Sequence, residues 1–238
     1  MEPRRVAERF TADVREALGE RLRGVVLYGS AARGEWLEAL SDINVLVLVD
    51  DISGASLAAL SPIVRRYVPE RVRPIVVEQR AWASAADVFG IELAEMQDWH
   101  VLLAGEDPLM GLLVQRPALR LQAERELRGK LLQLHAGLLV TETPAQLGGL
   151  LLASVPALAT YFRTALRLAG RAVSASTERT LTEGCALVGA DPAGLLALLQ
   201  ARHQGKPLEL QLQDPLVEQV NTAAERLTAY IDNIGREH

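Results

Sequence analysis

Cysteine is nearly absent from this chain: Cys185 is the single one among 238 residues. One thiol excludes an internal disulfide framework and any Cys-rich zinc site, and the four histidines show no zinc spacing. Cys185 has no evident His or acid partner in sequence and reads as a small buried apolar residue. A reducing, cytoplasmic location suits such a composition. Aromatic residues are scarce too, at 4%, so a core has to be built from Leu, Ala and Val, which favours helix. Basic charge is not in excess. The net charge of −5 weighs against broad, sequence-independent nucleic-acid binding. Long apolar runs are also lacking. The most apolar window, residues 147–162, falls short of the ~20 residues of a membrane span. It contains Gly148, Gly149 and Pro156 and predicts a buried helix, with no membrane partner. Residues 1–5 lead into an amphipathic helix charged throughout, which is not the pattern of a signal peptide.

What is present reads as ordinary globular protein, with 49% apolar and 23% charged residues and length enough for one large domain or two modest ones. Val6, Phe10, Val14, Leu18 and Leu22 form one apolar stripe, predicting a first helix that Gly24 stops. Residues 25–28 predict a buried strand ending at the turn Gly29-Ser30. Residues 43–49 are a near-continuous apolar run of strand length, ended by Asp50-Asp51. Ser53 is placed to cap a helix with the apolar face Leu57, Leu60, Val64 and Tyr67, which Pro69 closes. Residues 72–77 predict a third strand, with Pro74 placing it at an edge or near a strand start, and residues 89–96 a fourth. From about residue 116 onward strand signals vanish, and Leu/Ala-rich segments predict helices over 116–140, 144–169, 175–189, 192–203 and 212–235. The boundary falls near 111–117, giving an α/β domain over 1–112 and an all-α helical bundle over 113–238, an α+β fold overall. There is no sequence repeat or low-complexity tract.

The chemistry-bearing residues are Gly29-Ser30 and Asp42-x-Asn44. Residues two apart on a strand share a face, so Asp42 and Asn44 point the same way. A Gly-Ser turn opening a short helix at Ala31-Ala32-Arg33 presents backbone N–H groups and a hydroxyl suited to phosphate oxygens. A carboxylate-bearing strand beside a phosphate cradle is what metal-assisted phosphoryl chemistry requires. Ser30 alone would read as a helix cap and Asp42 alone as a strand-entry turn residue; their joint spacing favours the site.

The stretch from Leu27-Tyr28-Gly29-Ser30-Ala31-Ala32-Arg33-Gly34 to Ser41-Asp42-Ile43-Asn44-Val45-Leu46-Val47 resembles the signature of the polymerase β-type nucleotidyltransferase superfamily. That signature is Gly-Ser, a spacer, then Asp-x-Asp or Asp-x-Glu on a strand. The resemblance covers roughly residues 5–110, and the helical remainder is similar in architecture to two-domain, kanamycin-type nucleotidyltransferases. It implies a small mixed sheet with helices, Mg²⁺ (or Mn²⁺) as cofactor, and transfer of a nucleoside monophosphate from a nucleoside triphosphate to an acceptor hydroxyl. The acceptor class stays open between a small molecule, tRNA and protein. Asp42 and Asn44 would be metal ligands, and Gly29, Ser30 and Arg33 would hold the nucleotide. The third acid would be Glu92, or in the alternative Glu78. Asn44 stands where the family has a second carboxylate; an amide ligates without charge, so metal binding is expected to be weakened. The alternative is an inactive binding or regulatory module, an antitoxin-like partner or a homodimer formed through the helical domain.

Basic residues gather at Arg116, Arg120, Arg125, Arg128 and Lys130, with Glu124 and Glu126 interleaved for intrahelical pairing. One or two of them could reach a triphosphate if the helical domain faces the cleft, as in two-domain relatives. His100 and His135 read as structural or packing residues. Gly105-Glu106-Asp107-Pro108 reads as an acidic loop without a calcium pattern.

Overall fold

The structure, a computed structural model, describes residues 2–38 and 40–234, the side chain of Ala83 aside. The chain divides into two compact units, Met1–Gln115 and Arg116–His238.

The first unit is built on four strands, β1 (Leu22–Tyr28), β2 (Ile43–Val49), β3 (Val72–Glu78) and β4 (His100–Gly105), in the order β3-β2-β1-β4. β1 runs antiparallel to β2 and β4, and β2 parallel to β3, so the sheet is mixed. β2 is buried nearly throughout, as expected of a central strand covered on both faces. Helices α1 (Pro3–Leu18) and α3 (Gly54–Tyr67) cover one face. There Val6, Phe10, Val14 and Leu18 pack with Val25, Leu27, Ile43, Val45, Val47, Leu60 and Ile63. The short helix α2 (Ser30–Arg33) lays Ala31 and Ala32 against the same cluster. On the opposite face Val26, Leu46 and Leu48 meet Trp82 of α4 (Gln79–Ala83), then Leu93 and Met96 of α5 (Gly90–Asp98).

Several expectations hold. β2 spans the residues read as a strand, Ser53 accepts from Ser56 N as the cap of α3, and Pro74 lies on the edge strand β3. Two are corrected. The first helix ends at Leu18, and Leu22 and Gly24 already belong to β1. Gly24 is needed there because a Cβ would collide with the Glu106 carbonyl. Residues 89–96 are not a strand: Gly90–Asp98 is helical, burying Ile91 with Ala94 and Leu93 with Met96, each pair at a spacing of three. The fourth strand is instead β4.

The second unit contains α6 (Arg116–Val140), α7 (Pro144–Leu168), α8 (Thr177–Val188), α9 (Ala193–His203) and α10 (Pro215–Asn233). These agree with the five helices read from the sequence to within a few residues. Thr143 and Gln146 form a capping box at the start of α7. α7 is long and apolar enough to cross a membrane, but it lies in the centre of this unit, with Phe162, Arg163, Thr164 and Leu166 buried. Within that core Arg163 Nη2 donates to Thr160 Oγ1 at 3.3 Å. Arg120 and Arg128 pair with Glu124, and Arg128 also with Asp232. Cys185 is buried, which pushes its thiol up to about 11, helped by the charge of Asp191.

Phe10 is fully buried and meets the Tyr67 ring edge-on, 5.4 Å between centroids. Phe10→Ala is expected to destabilise the first unit by about 3–5 kcal/mol, read as an earlier transition in urea unfolding followed by far-UV circular dichroism.

Candidate functional site

One cross-strand row organises the end of the sheet where the sequence motifs meet. Arg73 on β3 pairs with Asn44 on β2, Asn44 with Tyr28 on β1, and Tyr28 with His100 on β4. Residues paired in this way project to the same face. The row therefore lies on the α5 side of the sheet, in line with Val26, Leu46 and Leu48. His100 is held structurally, its ring nitrogens 2.9 Å from Met96 O and 3.2 Å from Asp107.

Gly29 follows Tyr28 at φ 76° and opens α2. A Cβ there would stand 2.8 Å from Asn44 Nδ2, so the turn closes directly onto the Asn44 amide. Arg33 N and Glu35 N then donate to Gly29 O and Ser30 O, at 3.1 and 2.9 Å. The Gly29-Ser30 turn and the start of β2 are thus neighbours.

Asp42 stands just before β2, not within it. Its Oδ1 is 3.1 Å from Arg71 Nη2 and 3.8 Å from Arg73 Nε. That oxygen is shielded from solvent and has no aligned hydrogen bond among the described residues, so the Arg71 contact is one of charge. Arg71 is fixed by other means: its side chain donates to Ser41 O at 3.1 Å and Leu40 O at 3.2 Å, and its carbonyl accepts from Ile43 N at 2.9 Å. Its φ of 63° lies in the left-handed region, which costs a non-glycine residue about 1–2 kcal/mol.

The other candidate residues divide. Glu78 pairs with Val49 at the far end of β3, five residues and about 16 Å along the strand from Arg73, so it is not at this site. Glu92 is exposed on helix α5, not on a strand, yet it lies near the row. Burial, helped by the charge of Glu92, pushes the Tyr28 phenol up to about 12. Arg33 is turned toward α5, with Nη1 3.5 Å from Glu95 Oε2 and its guanidinium 5.8 Å from the centre of the Trp99 ring. Both partners of that ion pair are nearly buried, at 12% exposure each, so Arg33 ties α2 to α5. Arg71 and Arg73 were missed from the sequence. The one signal was a charged residue inside the apolar run Val72-Arg73-Pro74-Ile75.

The residue set does not fit a pair of divalent ions. The β2 motif offers one carboxylate, Asp42; its neighbour in the motif is the neutral Asn44, and two guanidinium groups face Asp42. Among the described residues no three His, Cys, Asp or Glu side chains gather as a metal site.

The family model described as the nucleotidyltransferase domain matches residues 9–108, from α1 to just past β4. Over these residues the chain matches a nucleotidyltransferase domain. Across 97% of this chain and 99% of the other, the fold resembles that of the spectinomycin adenyltransferase AAD(9) from Enterococcus faecialis, with a TM-score of 0.62 at 14% identity. No curated protein matches the sequence. The small mixed sheet with its helices, followed by a helical unit, thus has the fold of that adenyltransferase, as the sequence motifs implied.

Two measurements check this geometry. Gly29→Ala places a Cβ against Asn44 at a positive φ and is expected to cost about 1–2 kcal/mol, read by thermal or urea unfolding. Tyr28 should ionise near pH 12 in the folded protein, against 10 for a free phenol. Between those values the unfolded chain loses the proton first, so the contribution of Tyr28 to stability is whole below pH 10 and is lost as pH rises through 12. Phenolate absorbance should show that late ionisation in the parent protein and not in Tyr28→Phe; ionisation of Tyr28 at the ordinary value would refute the assignment.

Proposed function

We propose that this protein is a nucleotidyltransferase-fold module that binds a nucleoside triphosphate at the Gly29-Ser30 end of its sheet without transferring the nucleotide. The observation that carries this reading is the engagement of Asp42 by Arg71 and Arg73 beside the neutral Asn44. Two-metal phosphoryl transfer depends on clustered carboxylates that gather and fix the ions. Here the β2 motif has one carboxylate, Asp42, and two guanidinium groups stand against it. Gly29 and Ser30 keep the turn geometry for phosphate oxygens, since the positive φ of Gly29 lets the backbone come close to a ligand. Arg33, held by Glu95, positions that turn.

A second reading, transfer of a nucleoside monophosphate to an acceptor hydroxyl with Mg²⁺ or Mn²⁺, is favoured by the family match and by the likeness to an adenyltransferase whose structure was determined with ATP and spectinomycin. In that reading the acceptor is a small molecule, tRNA or protein, and Glu92 serves as the third acid.

Labelled nucleoside triphosphates, supplied with Mg²⁺ or Mn²⁺ and a panel of aminoglycoside, tRNA and protein acceptors, separate the two. The parent chain is expected to retain nucleotide and label no acceptor. Asn44→Asp alone is expected to remain inactive, because Arg73 still faces the site. Asn44→Asp with Arg73→Glu restores a cluster of three carboxylates and is expected to gain Mn²⁺ binding, measured by calorimetry. Asp42-dependent labelling by the parent chain would establish the transferase reading instead.

A further inference from the structure

Arg71 and Arg73 have a consequence for what the site takes as its ligand. Two guanidinium groups face one carboxylate, so the start of β2 and β3 carries a net positive charge before any ligand arrives. The two are held differently. Arg71 is anchored by the carbonyls of Leu40 and Ser41. Arg73, half exposed on the edge strand, makes a 3.5 Å bond to Val72 O and the 3.8 Å contact with Asp42. A guanidinium has five donors in a fixed fork that matches phosphate oxygens, so an exposed Arg next to a fixed one is a phosphate-binding pair. Asn44, in register with Arg73 and packed under Gly29, adds an uncharged amide between the pair and the Gly29-Ser30 turn.

We propose that Arg71 and Arg73 supply the positive charge that a divalent ion supplies in a metal-dependent site, so that the ligand is the free polyphosphate anion of a nucleoside triphosphate and not its Mg²⁺ complex. The proposal rests on the nucleotide-binding reading above and names the ionic form bound. Asp42 then has a changed role. It orients the two guanidinium groups before a ligand arrives and competes with phosphate for them, so it opposes binding where a metal-ligating Asp would be essential to it.

This reversal of sign provides the test. ATP, inorganic tripolyphosphate and AMP are titrated into the full chain by calorimetry, once with EDTA and once with excess Mg²⁺. ATP is expected to bind in EDTA and to bind several-fold more weakly with Mg²⁺, which neutralises the phosphates. Raising the salt concentration should weaken it as well. Arg73→Ala should weaken ATP binding about tenfold or more, and Arg73→Lys should recover part of the loss. Asp42→Asn should strengthen binding in EDTA. Thermal unfolding of each variant verifies that it folds, and the Mg²⁺ dependence of the parent protein is read without any variant. Tripolyphosphate binding as tightly as ATP, with AMP not binding, assigns the affinity to the phosphates; AMP binding as tightly as ATP overturns the proposal. Binding that requires Mg²⁺ and disappears in Asp42→Asn overturns it too, while leaving nucleotide binding intact. No ATP binding under either condition removes the binding reading together with it.

Discussion

The burial of β2 is the constraint on which the rest of the first unit depends. Six of its seven residues are buried, with α1 and α3 on one face and Trp82, Leu93 and Met96 on the other. A strand covered on both sides cannot slip by one residue without exchanging its two faces, and that would turn Asn44 into the α1 core and Ile43 out of it. Register is therefore fixed by packing, and packing fixes who meets whom at the strand's end: Tyr28 on one side of Asn44 and Arg73 on the other. The polar row inherits its geometry from an apolar requirement.

That geometry ties the two departures from metal chemistry together. An Asp at position 44 would set a second carboxylate beside Asp42, and two unshielded like charges at one site are costly without a cation. With Asn44 the need for a divalent ion falls, and the remaining charge of Asp42 is matched by Arg71 and Arg73 at 3.1 and 3.8 Å. Pairs this exposed contribute little to stability. Their effect is on what else can approach: a cation meets two fixed positive groups, whereas an anion meets donors already oriented.

The sequence disclosed what is local and periodic. The apolar run of β2, the Ser53 cap and the five long helices of the second unit follow from neighbouring residues alone, and the structure has them nearly where the pattern put them. The failures have physical causes. In residues 89–96 the apolar positions 91 and 93 satisfy a strand alternation, whereas 91 with 94 and 93 with 96 satisfy a helix; a window this short does not separate the two periods. Gly24 looked like a helix stop because a glycine's role as a close-approach residue depends on β4, which is far away in sequence. Arg73 stood out only as a charge in an apolar run, and its role was hidden for the same reason. Nothing near it in the chain indicates that parallel pairing will place it opposite Asn44.

Arg71 shows how much of the site's charge is written into the backbone. Its left-handed φ of 63° would be met at least cost by glycine, and a glycine there would still offer its carbonyl to Ile43 N. The backbone turn therefore explains the conformation and leaves the side chain unexplained. What Arg adds is a guanidinium that joins Leu40 O, Ser41 O and the Asp42 carboxylate, fastening the loop before β2 to the entry of β3. Two charge-assisted bonds to carbonyls offset a strain of about 1–2 kcal/mol, and they hold the cation in place whether or not Asp42 is engaged. A positive charge secured in this way persists when a ligand draws Asp42 or Arg73 aside, which makes Arg71 the permanent part of the site and Arg73 the part that can respond.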